Sequence, residues 1–164
     1  MRLYQQIISA LILIAPAYCA NAAPVIFGGG RALDSGRKFI DGKPIFGSNK
    51  TVRGTVSGLI CGILAAAALN VTVSYNLQLG VALSIGAVIG DLGGSFLKRR
   101  LGFKPGASLP LLDQLSFVLV ALLFAYAVTT VEFIQVLIIL LLTPIVHLLT
   151  NLLAYLFGFK KVPW

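Results

Sequence analysis

The sequence predicts an all-α integral membrane protein of five transmembrane helices with two functional cytoplasmic loops. Three observations carry this prediction. The 164 residues are 58% hydrophobic and only 11% charged, against roughly 25% charged in an ordinary soluble domain. The apolar residues gather into runs, Ile7–Ala23, Thr55–Leu69, Leu77–Leu97 and Leu115–Phe157. The last run is about twice the ~20 residues that one crossing requires, and it divides at "TTVEF", where Glu132 would be costly in lipid. Finally, with five crossings every Lys and Arg except Arg2, of 13 in all, falls in the loop after helix 1, the loop after helix 3 or the C-terminal tail. The preference of Lys and Arg for cytoplasmic loops then puts the N-terminus outside and the C-terminus in the cytoplasm. Most of the +8 net charge lies on that one face.

Helix 1 is expected over about residues 5–22. Met1-Arg2, an apolar stretch and "ANA" at 20–22 imitate a secretory signal with its cleavage site. Cleavage would export Arg31, Arg37, Lys38, Lys43, Lys50 and Arg53 against the charge rule, so the helix is read as retained. The cytoplasmic loop that follows, about 23–53, is too glycine-rich for a helix. A hairpin is expected at "DGKP" (41–44), and the scattered Val25, Ile26, Phe27, Ile40, Ile45 and Phe46 argue that the loop lies ordered on the bundle. "FGGGR" offers the amides of Gly28, Gly29 and Gly30 to an anion. "GSNKTVRG" (47–54) brings Lys50 and Arg53 to the start of helix 2, although Asn rather than Gly precedes Lys50, which excludes a Walker motif.

Helix 2 (about 54–70) and helix 3 (about 77–97) carry Gly54, Gly58, Gly62 and Gly86, Gly90, Gly94 at four-residue spacing. That spacing lets helix backbones approach closely. Gly93 breaks the pattern and suggests a further close approach at the inner end of helix 3. Cys19 and Cys61 have no metal or disulfide spacing and are read as packing residues. Asp91 is the most informative residue, because an isolated carboxylate in a membrane helix costs at least ~2.5–3.5 kcal/mol. Asp91, Ser95 and Lys98 share one helix face. Either Asp91 pairs with Lys98, or it holds a ligand.

The second cytoplasmic loop, about 98–112, begins with Lys98-Arg99-Arg100 and contains Lys104. Asp113 opens helix 4 (about 113–130), where it is either a helix cap or a second ligand. Two carboxylates beside many cations fit a metal-bound polyphosphate: Mg²⁺ takes one or two carboxylates plus phosphates and water, while Lys and Arg neutralise the remaining oxygens. Helix 5 (about 133–157) carries Thr143, His147 and Asn151 on one stripe. These residues either bond neighbouring helices or line the polar end of a lipid cavity. Glu132 is a solvated charge in the outer loop.

"SFLKRRLGFK" (95–104) resembles the Ser-x-x-Lys-Arg-x4-Lys signature of the CDP-diglyceride synthetase superfamily. Together with "FGGG", "DGK", "GSNKTVRG", "GDLGGSFLKRRLG" and "PLLDQLSF", it is most similar to the archaeal branch, the CDP-archaeol synthases. The resemblance implies a Mg²⁺-dependent cytidylyltransferase in the cell membrane. Such an enzyme transfers CMP from CTP to an unsaturated archaetidic acid, giving CDP-archaeol and pyrophosphate. It places Ser95, Lys98, Arg99 and Lys104 on the signature's polar positions and Asp113 on the first Asp of its ending. Pro105, Gln114 and Ser116 depart from the superfamily's Asp, Arg and Asp, which leaves Asp91 as the second metal ligand expected beside Asp113. Lys98, Arg99, Arg100 and Lys104 would then bind phosphates, and Lys50 and Arg53 the triphosphate or the lipid phosphate. The expected partners are CTP, the lipid phosphate and the bilayer, with no nucleic acid; a homodimer is allowed. The rival reading is a small transporter or channel for an anionic solute.

Overall fold

The computed structural model describes residues 2–160 and 162; Lys161, counted above among the tail's cations, lies outside the described residues. Five helices follow one another: α1 (Leu3–Phe27), α2 (Val52–Val73), α3 (Leu77–Arg100), α4 (Pro110–Tyr126) and α5 (Phe133–Leu156). Four of them are long and apolar enough to cross a bilayer by themselves. α4 has 17 residues, the lower limit of the roughly 17–25 that a crossing needs.

Several helix ends differ from the sequence-based expectation. α2 and α3 each end three residues later, so that Lys98, Arg99 and Arg100 belong to the last turn of α3 rather than to a loop, and α4 ends at Tyr126. The ends at Pro24 and Pro110 shift as well. α1 does not stop at residue 22 but runs through Pro24 to Phe27, where Gly28 donates its N–H to the Pro24 carbonyl at 2.9 Å. Pro24 has no N–H to offer Ala20, and the glycine face of α2 covers that carbonyl. A Cβ on Gly58 would lie 2.7 Å from Ala20 O, so the Gly58 Cα–H is what meets it. α4 starts three residues early because Pro110 takes the first helical position, where its missing N–H costs nothing. Asp113 is therefore inside the first turn.

The helices pack as a ring in chain order, α1 against α2, α2 against α3, α3 against α4, α4 against α5 and α5 back against α1, with α1 also touching α3 and α4. Glycine sets the closest pairs. A Cβ on Gly86 would fall 2.7 Å from the Ala121 Cα of α4, and one on Gly90 would fall 2.7 Å from the Phe117 Cα. The core formed between them holds Ile14, Leu83, Phe117 and Ile139, all fully buried. Gly93 does not make the close approach expected of it, since a Cβ there would meet nothing within 4 Å. It belongs to the outer face of α3. Among the described residues no Cα of α3 comes within 8 Å of a Cα of α5, and the space between them matters below.

The first long loop is ordered, as its scattered apolar residues suggested. Its two arms are zipped where Leu33 donates to the Lys50 carbonyl (2.7 Å) and Val52 to the Arg31 carbonyl (3.1 Å). Between them a tight hairpin turns at Asp41-Gly42, closed by Phe39 N–H on the Lys43 carbonyl at 2.8 Å. The loop is organised by Asp34, a residue only 6% exposed. Its carboxylate accepts the backbone N–H groups of Gly36, Phe46 and Gly47 at 2.9–3.0 Å. Burial pushes the Asp34 carboxyl up, but these donors outweigh it and hold it below its ordinary value.

Two outcomes are expected. Gly90→Val drives a side chain into the α4 backbone, so the melting temperature in detergent falls by the equivalent of about 2–3 kcal/mol; Gly93→Ala changes it by no more than about 1 kcal/mol. A lowered folded-state pKa at Asp34 means its contribution is complete above the ordinary Asp value near 4 and is lost as pH falls through the folded value. Hydrogen exchange at Phe46 and Gly47 should therefore be pH-independent in protection above about pH 5 and rise only in stronger acid, whereas Asp34→Asn should be poorly protected throughout.

Candidate active site

A cavity of about 680 Å³ opens at the charged end, between α3 and α4 on one side and α1 and α5 on the other. Asp91, Ser95, Lys98 and Arg99 of α3 face it, joined by Asp113 of α4 and Lys50 of the first loop. The alignment of 91, 95 and 98 expected from helical spacing thus carries one wall. The opposite wall is α5 and the segment after it, with Thr143, His147, Asn151 and Lys160.

Each carboxylate in the cavity is held by a lysine from another element. Lys50 Nζ donates to both oxygens of Asp91, at 2.6 and 2.5 Å. Lys98 Nζ lies 2.5 Å from Asp113 Oδ1 and also donates to the Ala107 carbonyl at 3.1 Å. The local Asp91–Lys98 pair allowed by the sequence does not form. Seven residues of helix rise separate the two by about 10 Å along the axis, while the zipped loop delivers Lys50 beside Asp91. Asp113 is not the capping residue expected of it, since Leu109 holds that position; its Oδ2 reaches back to accept the Leu109 N–H at 2.9 Å, and its Oδ1 faces Lys98 in the cavity.

Arg99 differs from these pairs. The residue is 4% exposed, and its Nε has no hydrogen-bond partner among the described residues. Gly47 at φ 96° leaves room for it, since a Cβ there would press on Arg99 Nη1 at 3.1 Å. A buried guanidinium with an unused donor is costly unless an anion completes it. Lys160 adds a cation from the α5 side, its ammonium pushed down by burial and drawn back up by Asp113.

Other expected site residues go elsewhere. Arg100 points away from the cavity, to Asp41 at 3.1 Å and the rings of Phe39 and Phe96. Arg53 and Lys104 are exposed and do not line the cavity. Gly28 and Gly29 line a second, small cavity of about 60 Å³ that shares Lys50 and Asp91 with the large one, and Gly30 lines neither. Conversely, Asn21, Asn49 and Asn151 face the large cavity. Asn21 stood in the sequence as part of a mock cleavage site, although a lone polar residue in an apolar helix was itself a signal. The α5 stripe bonds a neighbouring helix at one position and faces the cavity at others. Thr143 is within 2.9 Å of the Tyr18 hydroxyl of α1, and His147, 3.1 Å from Asn151, lines the cavity.

Among the described residues no group of three or more His, Cys, Asp or Glu could hold an ion by itself. One or two carboxylates are what Mg²⁺ takes from a protein when phosphates and water complete its shell, and Asp91 and Asp113 would be the residues here to supply them. The donors fit an ion that arrives with a polyphosphate.

Comparison with known proteins is consistent along the whole chain. Residues 3–164 match the family model described as CarS-like, CDP-archaeol synthase. The CDP-archaeol synthase of Methanocaldococcus jannaschii is 42% identical over 98% of this chain and 99% of its own length. That of Pyrococcus furiosus is 44% identical over 96% and 98%. A solved structure described as an intramembrane enzyme for archaeal membrane lipids biosynthesis superposes with a TM-score of 0.80 at 37% identity, covering 88% of this chain and 94% of that one. The chain belongs to the CDP-archaeol synthase family, multi-pass membrane cytidylyltransferases of archaeal lipid biosynthesis.

Proposed function

We propose that the cavity transfers CMP from CTP to an isoprenoid ether lipid phosphate, an unsaturated archaetidic acid, with Mg²⁺ as cofactor. The observation that carries this reading is the buried Arg99, its Nε without a hydrogen-bond partner, beside two carboxylates that lysines hold in place. That is a site charged for phosphate and short of an anion. Asp91 and Asp113 would hold the metal, which supplies charge neutralisation at the phosphates when bound. Arg99 takes phosphate oxygens through its fixed fork of donors. Lys50 and Lys98 position the two carboxylates in the free enzyme and offer their ammonium groups to phosphate oxygens when nucleotide enters. Arg53, Lys104 and Arg100 are left outside the reacting centre.

In the reaction an oxygen of the lipid phosphate attacks the α-phosphorus of CTP. The bond from that phosphorus to the bridging oxygen breaks, and pyrophosphate carries the electron pair away. The nucleophile is already anionic, so no general base is needed. Catalysis is positioning and charge neutralisation by residues already fixed in place. CTP is water-soluble and the lipid phosphate is not, so the site belongs at a membrane surface. The charge bias supports a cavity on the cytoplasmic side and an N-terminus outside. Membership in a cytidylyltransferase family displaces the transporter reading.

Asp91→Asn should lower transfer of label from CTP into lipid by at least about 100-fold, a loss of roughly 2.7 kcal/mol or more, while the variant still inserts and melts cooperatively; near-normal transfer would remove Asp91 from the mechanism. CTP with Mg²⁺ should raise the melting temperature by about 4 °C or more at saturating ligand, well beyond the sum of the two separate shifts. Simple additivity would argue against a shared site.

A further inference from the structure

The hairpin of the first loop carries a feature that cytidylyl transfer does not use. Ile40 at its tip is 94% exposed, the most exposed large apolar side chain among the described residues. The hairpin does not stand out into water. Phe39 meets Phe96 of α3 edge-on, with centroids 5.2 Å apart, and the Arg100 guanidinium lies 5.0 and 4.7 Å from the two rings. Arg100 also pairs with Asp41 at 3.1 Å and donates to the Pro44 carbonyl, while Lys43 Nζ donates to the Arg100 carbonyl at 2.8 Å. The tip is thereby drawn down α3 to Phe96, one turn inside the helix end.

The face of α3 beside Phe96 identifies what covers this tip. Ile85, Ile89, Leu97 and Leu101 recur every four residues and are all exposed, with the open Gly93 between them. In a membrane-spanning helix this stripe faces lipid. Phe96 and Arg100 precede Leu97 and Leu101 by one position and so flank it. Arg37 and Lys38 on the hairpin are exposed as well, and Asp41, the hairpin's one acid, is neutralised by Arg100. An apolar tip continuous with a lipid-facing stripe and ringed by cations matches an anionic bilayer surface.

We infer that residues 37–45 form an interfacial anchor, with Ile40 inserted among the acyl chains of the adjacent leaflet and Arg37 and Lys38 on anionic headgroups. The anchor has a mechanical link to the cavity. The same loop continues through Phe46 and Gly47, clamped by Asp34, past Arg99 to Asn49 and Lys50. A hairpin seated in the headgroup layer sets the depth at which these groups stand. The inference is independent of the reaction proposed above, because it rests on the outer face of α3.

The full chain with Ile40→Trp and Trp164→Phe, reconstituted in vesicles of phosphatidylglycerol or phosphatidylcholine containing acyl-brominated lipid, tests it. A side chain roughly 5–10 Å below the headgroup boundary should show blue-shifted emission quenched about twofold or more, more strongly in phosphatidylglycerol. Adding Arg37→Glu and Lys38→Glu should erase the difference between the two lipids, and a cooperative melt of each variant confirms that it is folded. Water-like, unquenched emission in both vesicles would overturn the anchor, and equal quenching in both would overturn the headgroup contacts. A blue shift that appears only as protein-to-lipid ratio rises would assign the tip to a second copy instead.

Discussion

Asp91 sits in an apolar helix and must be neutralised where it stands. The cation that does so, Lys50, comes from 41 residues earlier in the chain. Much of the molecule serves to bring that ammonium there. The loop arms are zipped at Leu33–Lys50 and Arg31–Val52, Asp34 clamps the returning strand, and Thr51 caps α2 immediately afterwards. An unpaired carboxylate at this position would be costly in lipid, so the folding of the loop and the placement of the helix are coupled.

The bundle has an open seam because its two tightest pairings lie elsewhere. Glycine faces bring α2 onto α1 and α3 onto α4 until backbone nearly touches backbone. α5 has no such face; it is built of Leu, Ile and Val around Pro144 and reaches only α1 and α4. Bulky side chains hold it away from α3, and the cavity occupies the gap. Small residues thus hold the α3–α4 wall of the cavity close, while large ones keep the gap beside it open. Polar groups from both walls face that gap at the charged end.

The two lysine–carboxylate pairs also explain why a strongly cationic site does not fly apart without its ligands. Lys50 and Lys98 find counter-charges in Asp91 and Asp113, and Arg100 finds Asp41. Arg99 is in none of these pairs and is buried with its Nε unbonded, although Arg100 also leaves Nη1 without a partner. Of the two arginines only Arg99 lines the cavity, and the neighbouring pairs neutralise the charge around it.

The number of helices, their approximate spans and the charged end were all determined by the amino-acid sequence alone, because lipid imposes length and apolarity on every crossing and charge bias on every loop. The helical repeat likewise aligned Asp91, Ser95 and Lys98, and four-residue glycine spacing announced close packing. Tertiary structure alone decided who pairs with whom. Lys98 turned to Asp113 rather than Asp91, and Arg100, adjacent in sequence to Arg99, turned its side chain to the hairpin on the opposite face. Neighbours on a helix point about 100° apart, so a run of three cations serves several surfaces at once. Which surface each one meets depends on the elements packed against it, and those contacts are made across distances in sequence that no local pattern records.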